Sequence, residues 1–472
     1  MGLTDRRGFL KHGLLAVGGL GLSAFAWSRL TRPGAAPGIH PALGPLQPVN
    51  DLTSGLPILK LPEGFRYHSF AWAGETLGDG FTSPKFCDGM GVVSEDNGIV
   101  TLIRNHEASG SSGAFGPDRM AWDVTGGGTT TLRFDTHAER LVDSNISLCG
   151  TLENCAGGVT PWGTWLSCEE GPVTPGLMHH GIESRQQFWQ LENARRSHGY
   201  VFEVHPEGVT NPQPIIPMGQ FYHEAAAVDP RTGMVYMTED RTPSAGFYRY
   251  IPDIPGDLMA GGRLQMLKVD GHSRLNKGIT RNRRMTTGWV DIPDPAQGHS
   301  PGTHDGAGVV SQGMAADGTA FIALEGCAVD QDLVYFTSKA GGEAGAGQIF
   351  QMDTGKNTLQ LIFEASDRNG FSGMDNIIVS PRGSLMICED NNGLIKKAQH
   401  IAGLSRSGEL FAFCQTNPDL AGEFKGHDLA DAALTAEWAG VCFSADGQWM
   451  FANLYRPGMT FAITGPWQNG PV

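Results

Sequence analysis

The chain has 472 residues, 66 of them glycine and 28 proline, and its 34 Lys and Arg stand against 49 Asp and Glu for a formal charge of −15. An acidic balance of this size excludes a nucleic-acid binder that lives on phosphate contacts and suits multivalent cations. Eight cysteines without a Cys-x-x-Cys pair exclude a zinc ribbon or thioredoxin-like site, and Gly and Pro spread along the whole chain suit many short strands joined by tight turns.

The first element is an address. Arg6-Arg7 precedes an apolar stretch, residues 13–22, that is short and glycine-rich for a membrane span, and Ala24-Phe25-Ala26 offers a cleavage site. Residues 1–27 therefore read as a twin-arginine signal peptide. They predict a bacterial protein that meets the twin-arginine translocase during export and reaches the periplasm or beyond. Residues 28–50, rich in Pro, Ala and Gly, read as a linker, and no later segment predicts a stable membrane span.

Residues 51–472 carry an internal repeat. Each unit opens with an acid or amide, continues through small or apolar residues, turns at Gly, and ends a second apolar run on another acid or amide. In chain order, Asp88-Gly89-Met90 leads to Asn105-His106-Glu107, and Asn154 leads to Ser167-Cys168-Glu169-Glu170. Glu224-Ala225-Ala226-Ala227-Val228 leads to Thr238-Glu239-Asp240. Glu325 leads to Val334-Tyr335-Phe336-Thr337, Asp375-Asn376 to Cys388-Glu389-Asp390, and Glu437-Trp438-Ala439 to Phe451-Ala452-Asn453. Six openings predict an all-β, six-bladed β-propeller with long loop insertions, the largest over residues 253–312.

In a propeller the innermost strands converge on a central channel, so one carboxylate per blade can build an oxygen-rich cage. Calcium takes six to eight oxygen ligands of this kind. Cys168, beside Glu169 and Glu170 at a strand end, adds a thiolate, which selects a softer or redox-capable metal, with iron the natural candidate. His106 and His223 each precede a glutamate and are candidates to ligate metal or position water. His304 falls in a loop.

At these segments the chain resembles the PhoX-type alkaline phosphatases. The likeness is carried by Arg104-Asn105-His106-Glu107, Gly126 through Leu132, Asn154-Cys155-Ala156-Gly157-Gly158, and Thr164 through Glu170. It continues through Tyr222-His223-Glu224, Glu239-Asp240-Arg241, Glu325-Gly326-Cys327, Asp375-Asn376 and Gly458 through Trp467. The resemblance implies an exported six-bladed propeller that holds two Fe3+ and three Ca2+ ions and hydrolyses small-molecule phosphate monoesters. By the same likeness Cys168 is an iron ligand and Glu224 and Glu325 are carboxylate ligands at the reacting centre, with Glu169, Asp375 and Glu437 as further metal ligands. The family pattern would carry an arginine where this chain has Ala323. Arg104, Arg241, Arg456, or Arg281, Arg283 and Arg284 are left to supply that charge.

Two other readings use the same residues. A calcium-dependent lactonase needs one axial calcium and no thiolate. A non-catalytic calcium-binding propeller would bind a partner at its rim. No nucleic-acid partner is expected, and a monomer is expected.

Overall fold

The computed structural model describes residues 37–175, 191–367, 370–390 and 396–472. The predicted signal peptide and its cleavage site lie outside the described residues. Within them the fold is all-β and propeller-like. The two α-helices among the described residues, Gly308–Ala315 and Leu429–Thr435, are short. No helix among the described residues is long and apolar enough to cross a membrane.

The strands run as antiparallel meanders, each begun by one of the repeat openings. Cys87–Asp96 pairs with Ile99–His106, followed by Thr125–Asp135 and Arg140–Gly150. Asn154–Val159 pairs with Trp165–Glu169 and that strand with Val201–Val204. Strands His223–Val228, Leu324–Asp330, Met374–Val379 and Trp438–Phe443 begin the others. Each opening strand lies against the opening strand of its neighbours around an axis.

The hydrogen-bonded sheets differ from six separate four-stranded blades. Four sheets have four or more strands among the described residues, of six, nine, four and four strands. The nine-stranded sheet arises because Met285–Asp291 pairs with Thr358–Glu364, so two meanders share one ladder. The sheet begun at Asn154 has three strands. Within residues 253–312, Asp257–Val269 pairs with Phe247–Ile254 on one side and Met285–Asp291 on the other, so these strands lie inside the nine-stranded sheet.

The ends of the chain complete the sheets. Arg66–Phe70 pairs with Met459–Thr464, from Thr464↔Arg66 to Thr460↔Phe70, so an early strand seals the last meander. Leu59–Leu61 joins Leu410–Thr416, and Gln47–Val49 joins Leu59–Leu61. The described part of the stretch read as a linker is therefore docked, with Gly38 on the backbone of Leu410 and His40 edge-on to Phe411 at 5.1 Å. Closing sheets this way removes free edges that would otherwise pair with other chains.

Between sheets the core is apolar and aromatic. Phe247 stacks on Phe336 at 4.2 Å and Phe336 on Phe350 at 5.2 Å. Near the axis the side chains shrink, because the opening strands crowd together. At Gly158 a Cβ would lie 1.7 Å from the Ala226 carbonyl oxygen, which explains the Gly and Ala that follow each opening residue.

Candidate metal centre

In five meanders the ladder slips just after the opening strand begins, between Cys87 and Met90, Asn154 and Gly157, His223 and Ala226, Leu324 and Cys327, and Met374 and Ile377. A β-bulge re-aims the residue it contains. Here it turns Asp88, Cys155, Glu224, Glu325 and Asp375 into one cavity of about 1290 Å³ at the end of the axis. The sixth bulge, between Ala439 and Cys442, holds Gly440 in that place. Gly440 has φ +61°, and a Cβ there would come within 2.7 Å of the Asp88 carbonyl oxygen. The sixth meander contributes its carboxylate from Glu437 instead.

The residue after each second strand completes the ring: Glu107, Glu170, Asp240, Lys339 and Asp390 all line the cavity. Strand alternation sends the residue before it into the sheet. Glu169 is fully buried and accepts hydrogen bonds from the amides of Leu152 (2.9 Å), Gly199 (2.8 Å) and Tyr200 (3.1 Å) and pairs with His198 Nδ1 at 2.7 Å. Glu239 accepts from the Gly246 amide and the Tyr248 hydroxyl, both at 2.7 Å. Glu389 is held by Lys397 at 2.6 Å and His400 at 3.0 Å. The first acid of each pair fastens the blade edge, and the second faces the cavity.

Two of the expected ligands do not line the cavity. Cys168 is buried in an apolar cluster with Leu166, Val201, Met218, Phe221 and Met237, away from the cavity. Glu169 is consumed by the contacts above. Cys155 and Glu170 stand where Cys168 and Glu169 were expected, while Glu224, Glu325, Asp375 and Glu437 are brought together as expected. Only the bulge distinguishes Cys155 from its neighbour Asn154, which donates to Ser167 Oγ at 2.9 Å. His106 and His223 also turn inward to the sheet, His106 onto the Lys85 carbonyl and Thr130 Oγ1, His223 onto the Gly219 carbonyl at 2.9 Å. All eight cysteines are free and buried.

The electrostatics follow from crowding. Ligand atoms of Glu107, Glu153 and Glu170, of Glu224, Glu325 and Asp375, and of Asp375, Asp390 and Glu437 lie within 4.8 Å of one another in each trio. Burial, then the neighbouring carboxylates, holds Asp88, Glu224 and Glu437 well above the usual range. Burial and the charge of Glu170 push Glu107 up to about 7. Burial and then Glu224 raise the Cys155 thiol. Burial opposes the Lys339 ammonium, but Asp390, Glu325 and Asp375 outweigh it and hold its pKa well above the lysine value. Asp88 Oδ1 is buried without a hydrogen-bond partner. Clustered, desolvated carboxylates with an unused oxygen and one thiol are a donor set that fits hard cations together with a softer one.

Of the candidate arginines, two line the cavity. Arg241 bonds Asp305 at 2.7 Å and the Ser244 carbonyl at 3.1 Å, and Arg456 lies over the Phe86 ring at 5.1 Å. Arg104 is fully buried, bound to the Ala71 carbonyl and Thr460 Oγ1, both at 2.9 Å. Arg281 bonds the Ile362 carbonyl and, like Arg283 and Arg284, is absent from the lining. Ala323 does line the cavity, with its amide on the Arg241 carbonyl at 3.0 Å.

Among the comparisons with known proteins, a solved structure superposes well enough to support this architecture. The family described as alkaline phosphatase PhoX matches residues 121–458. Among solved structures, Pseudomonas fluorescens PhoX in complex with vanadate, a transition state analogue, superposes with a TM-score of 0.61 at 16% identity, over 91% of this chain and 99% of that one. A gluconolactonase from Xanthomonas campestris covers 93% of this chain and 99% of its own with a TM-score of 0.42 at 11% identity. Regucalcin, a calcium-binding protein from Agrobacterium tumefaciens, covers 84% and 96% with a TM-score of 0.38 at 10% identity. No curated protein matches the chain.

Proposed function

The chain belongs to the alkaline phosphatase PhoX family and is a phosphoric monoester hydrolase, and from that premise we propose that its axial cavity is the active site, where iron(III) and calcium are held together. The observation that carries this reading is the repeated bulge, which delivers Asp88, Cys155, Glu224, Glu325 and Asp375 to one point. Their meanders, with the one that supplies Glu437, are read as six blades.

Cys155 and Glu224 would hold iron together with Glu325, and Asp88, Glu170, Asp375, Asp390 and Glu437 would hold calcium. When bound, such ions neutralise phosphate oxygens and support the charge that develops on the leaving oxygen. The protein's own residues do the rest. Among the described residues, twelve carboxylates line the cavity against four cationic side chains, so without cations the mouth repels a phosphate dianion. Arg241 and Arg456 can meet the phosphate, Arg241 steadied by Asp305 and Arg456 by ring contact. Ala323, in place of the expected arginine, lines the cavity with Arg241 and brings no charge of its own. Burial of the carboxylates keeps water from screening these charges.

Export fits the same reading: Arg6-Arg7 would take the folded chain through the twin-arginine route to the periplasm, with residues 51–472 as its catalytic domain. Elemental analysis of the purified protein, with p-nitrophenyl phosphate turnover before and after chelation, tests the proposal. Iron and calcium should both be found, and chelation should abolish turnover. Full turnover in metal-free protein would overturn it.

A further inference from the structure

The ring of cavity residues contains one reversal of sign. The position after the second strand is Glu107, Glu170, Asp240 and Asp390 in four meanders, and it is Lys339 in the meander begun by Leu324–Asp330. Lys339 does not turn away to solvent. Its Nζ lies 2.6 Å from Asp390, 3.1 Å from Asp375 and 3.4 Å from Glu325. The ammonium is thus within ion-pair distance of three carboxylates, with Asp390 and Asp375 nearer than Glu325.

Those partners belong to the trio Glu224, Glu325 and Asp375 and to the trio Asp375, Asp390 and Glu437, and Asp375 is shared by both. The ammonium therefore sits where the two trios meet. A divalent cation there would face a fixed positive charge a few ångströms away in a buried setting, where Coulomb repulsion is poorly screened. The trio Glu107, Glu153 and Glu170 contains none of the Lys339 partners.

We propose that Lys339 is a built-in cation that stands in the place of one metal ion, so that this cavity holds one divalent cation fewer than its carboxylates would otherwise take. The inference rests on the metal-cluster reading above. In effect the chain replaces an exchangeable ion at the junction of two trios with a permanent charge, and part of its carboxylate cluster stays neutralised when calcium is scarce.

The test counts ions rather than turnover. Wild type, Lys339→Glu, Lys339→Met and Lys339→Arg are dialysed against calcium chloride, and calcium and iron per chain are measured by elemental analysis, with thermal melts in chelator and in calcium. Lys339→Glu and Lys339→Met should each gain one calcium per chain and show a larger calcium-induced rise in Tm, and Lys339→Arg should match wild type. Equal calcium per chain in wild type, Lys339→Glu and Lys339→Met overturns the inference. If Lys339→Glu fails to accumulate, the count on Lys339→Met decides. Wild type that binds neither metal defeats the cluster reading itself. Wild type that binds both, with unchanged counts in the variants, defeats only the role given to Lys339.

Discussion

The two cysteines of the second meander, thirteen residues apart in sequence, have opposite surroundings. The Cys155 thiol donates to the His223 carbonyl at 3.1 Å beside the cavity carboxylates, whereas Cys168 packs among Leu, Val, Met and Phe side chains. Cys155→Ala should lower p-nitrophenyl phosphate turnover by roughly 100-fold and remove iron from the protein. Cys168→Ala should keep turnover and metal content and lose about 1–2 kcal/mol of stability, measured by denaturant melts, because it only opens a small void. At the rim, Arg456→Ala should raise KM by on the order of 10-fold with a smaller effect on kcat, if its guanidinium grips substrate and transition state alike. Steady-state kinetics with p-nitrophenyl phosphate read that split.

Between strands, the acid turned into the sheet does structural work that the sequence hides behind its catalytic-looking neighbour. His198 pairs with Glu169 at 2.7 Å and Asp123 at 3.4 Å. Burial disfavours its charge, but Glu169 and Asp123 outweigh that and raise its pKa from 6.5 to about 9. A histidine raised in the folded state stabilises fully below its unfolded value and loses that contribution as pH climbs through the folded one. The stability gap between wild type and His198→Gln should therefore be full below about 6.5 and close as pH passes about 9, read by urea melts across that range. Gly440 makes a comparable point for the backbone. With φ at +61° and the Asp88 carbonyl 2.7 Å from a notional Cβ, Gly440→Ala should cost about 1–3 kcal/mol and displace Asp88, seen as lower melting and weaker calcium binding.

Across the whole molecule, the axis concentrates negative charge that the fold alone does not neutralise. Asp88, Glu224, Glu325, Asp375 and Glu437 are held above the ordinary carboxylate range, and Glu107 reaches about 7. Acids raised on folding favour the folded state while protonated and oppose it once charged, so their contribution is lost as pH rises. Metal-free protein should therefore lose stability between the usual glutamate range and beyond pH about 7, and calcium should restore it most at alkaline pH. Thermal melts in chelator and in calcium across that range check both directions. A loss confined to acid pH would contradict the charge balance described for the cavity.

The repeat itself determined much of this protein. Acid, small residues, Gly turn and second acid, recurring from Asp88 to Glu437, specify an all-β ring with carboxylates at its mouth, because period-2 strands and crowded inner positions leave few other places for those residue types. The same pattern placed Glu224, Glu325, Asp375 and Glu437 together. Tertiary structure alone decided the finer choice between adjacent residues. A bulge in the opening strand brings Cys155 rather than Asn154 to the cavity, while the end and alternation of the second strand bring Glu170 rather than Glu169 there and leave Cys168 in the core. Sheet boundaries were equally invisible, since pairing of Met285–Asp291 with Thr358–Glu364 joins strands about 70 residues apart. So was the meaning of Lys339, an unremarkable lysine in sequence, whose charge acquires significance only because three distant carboxylates converge on it.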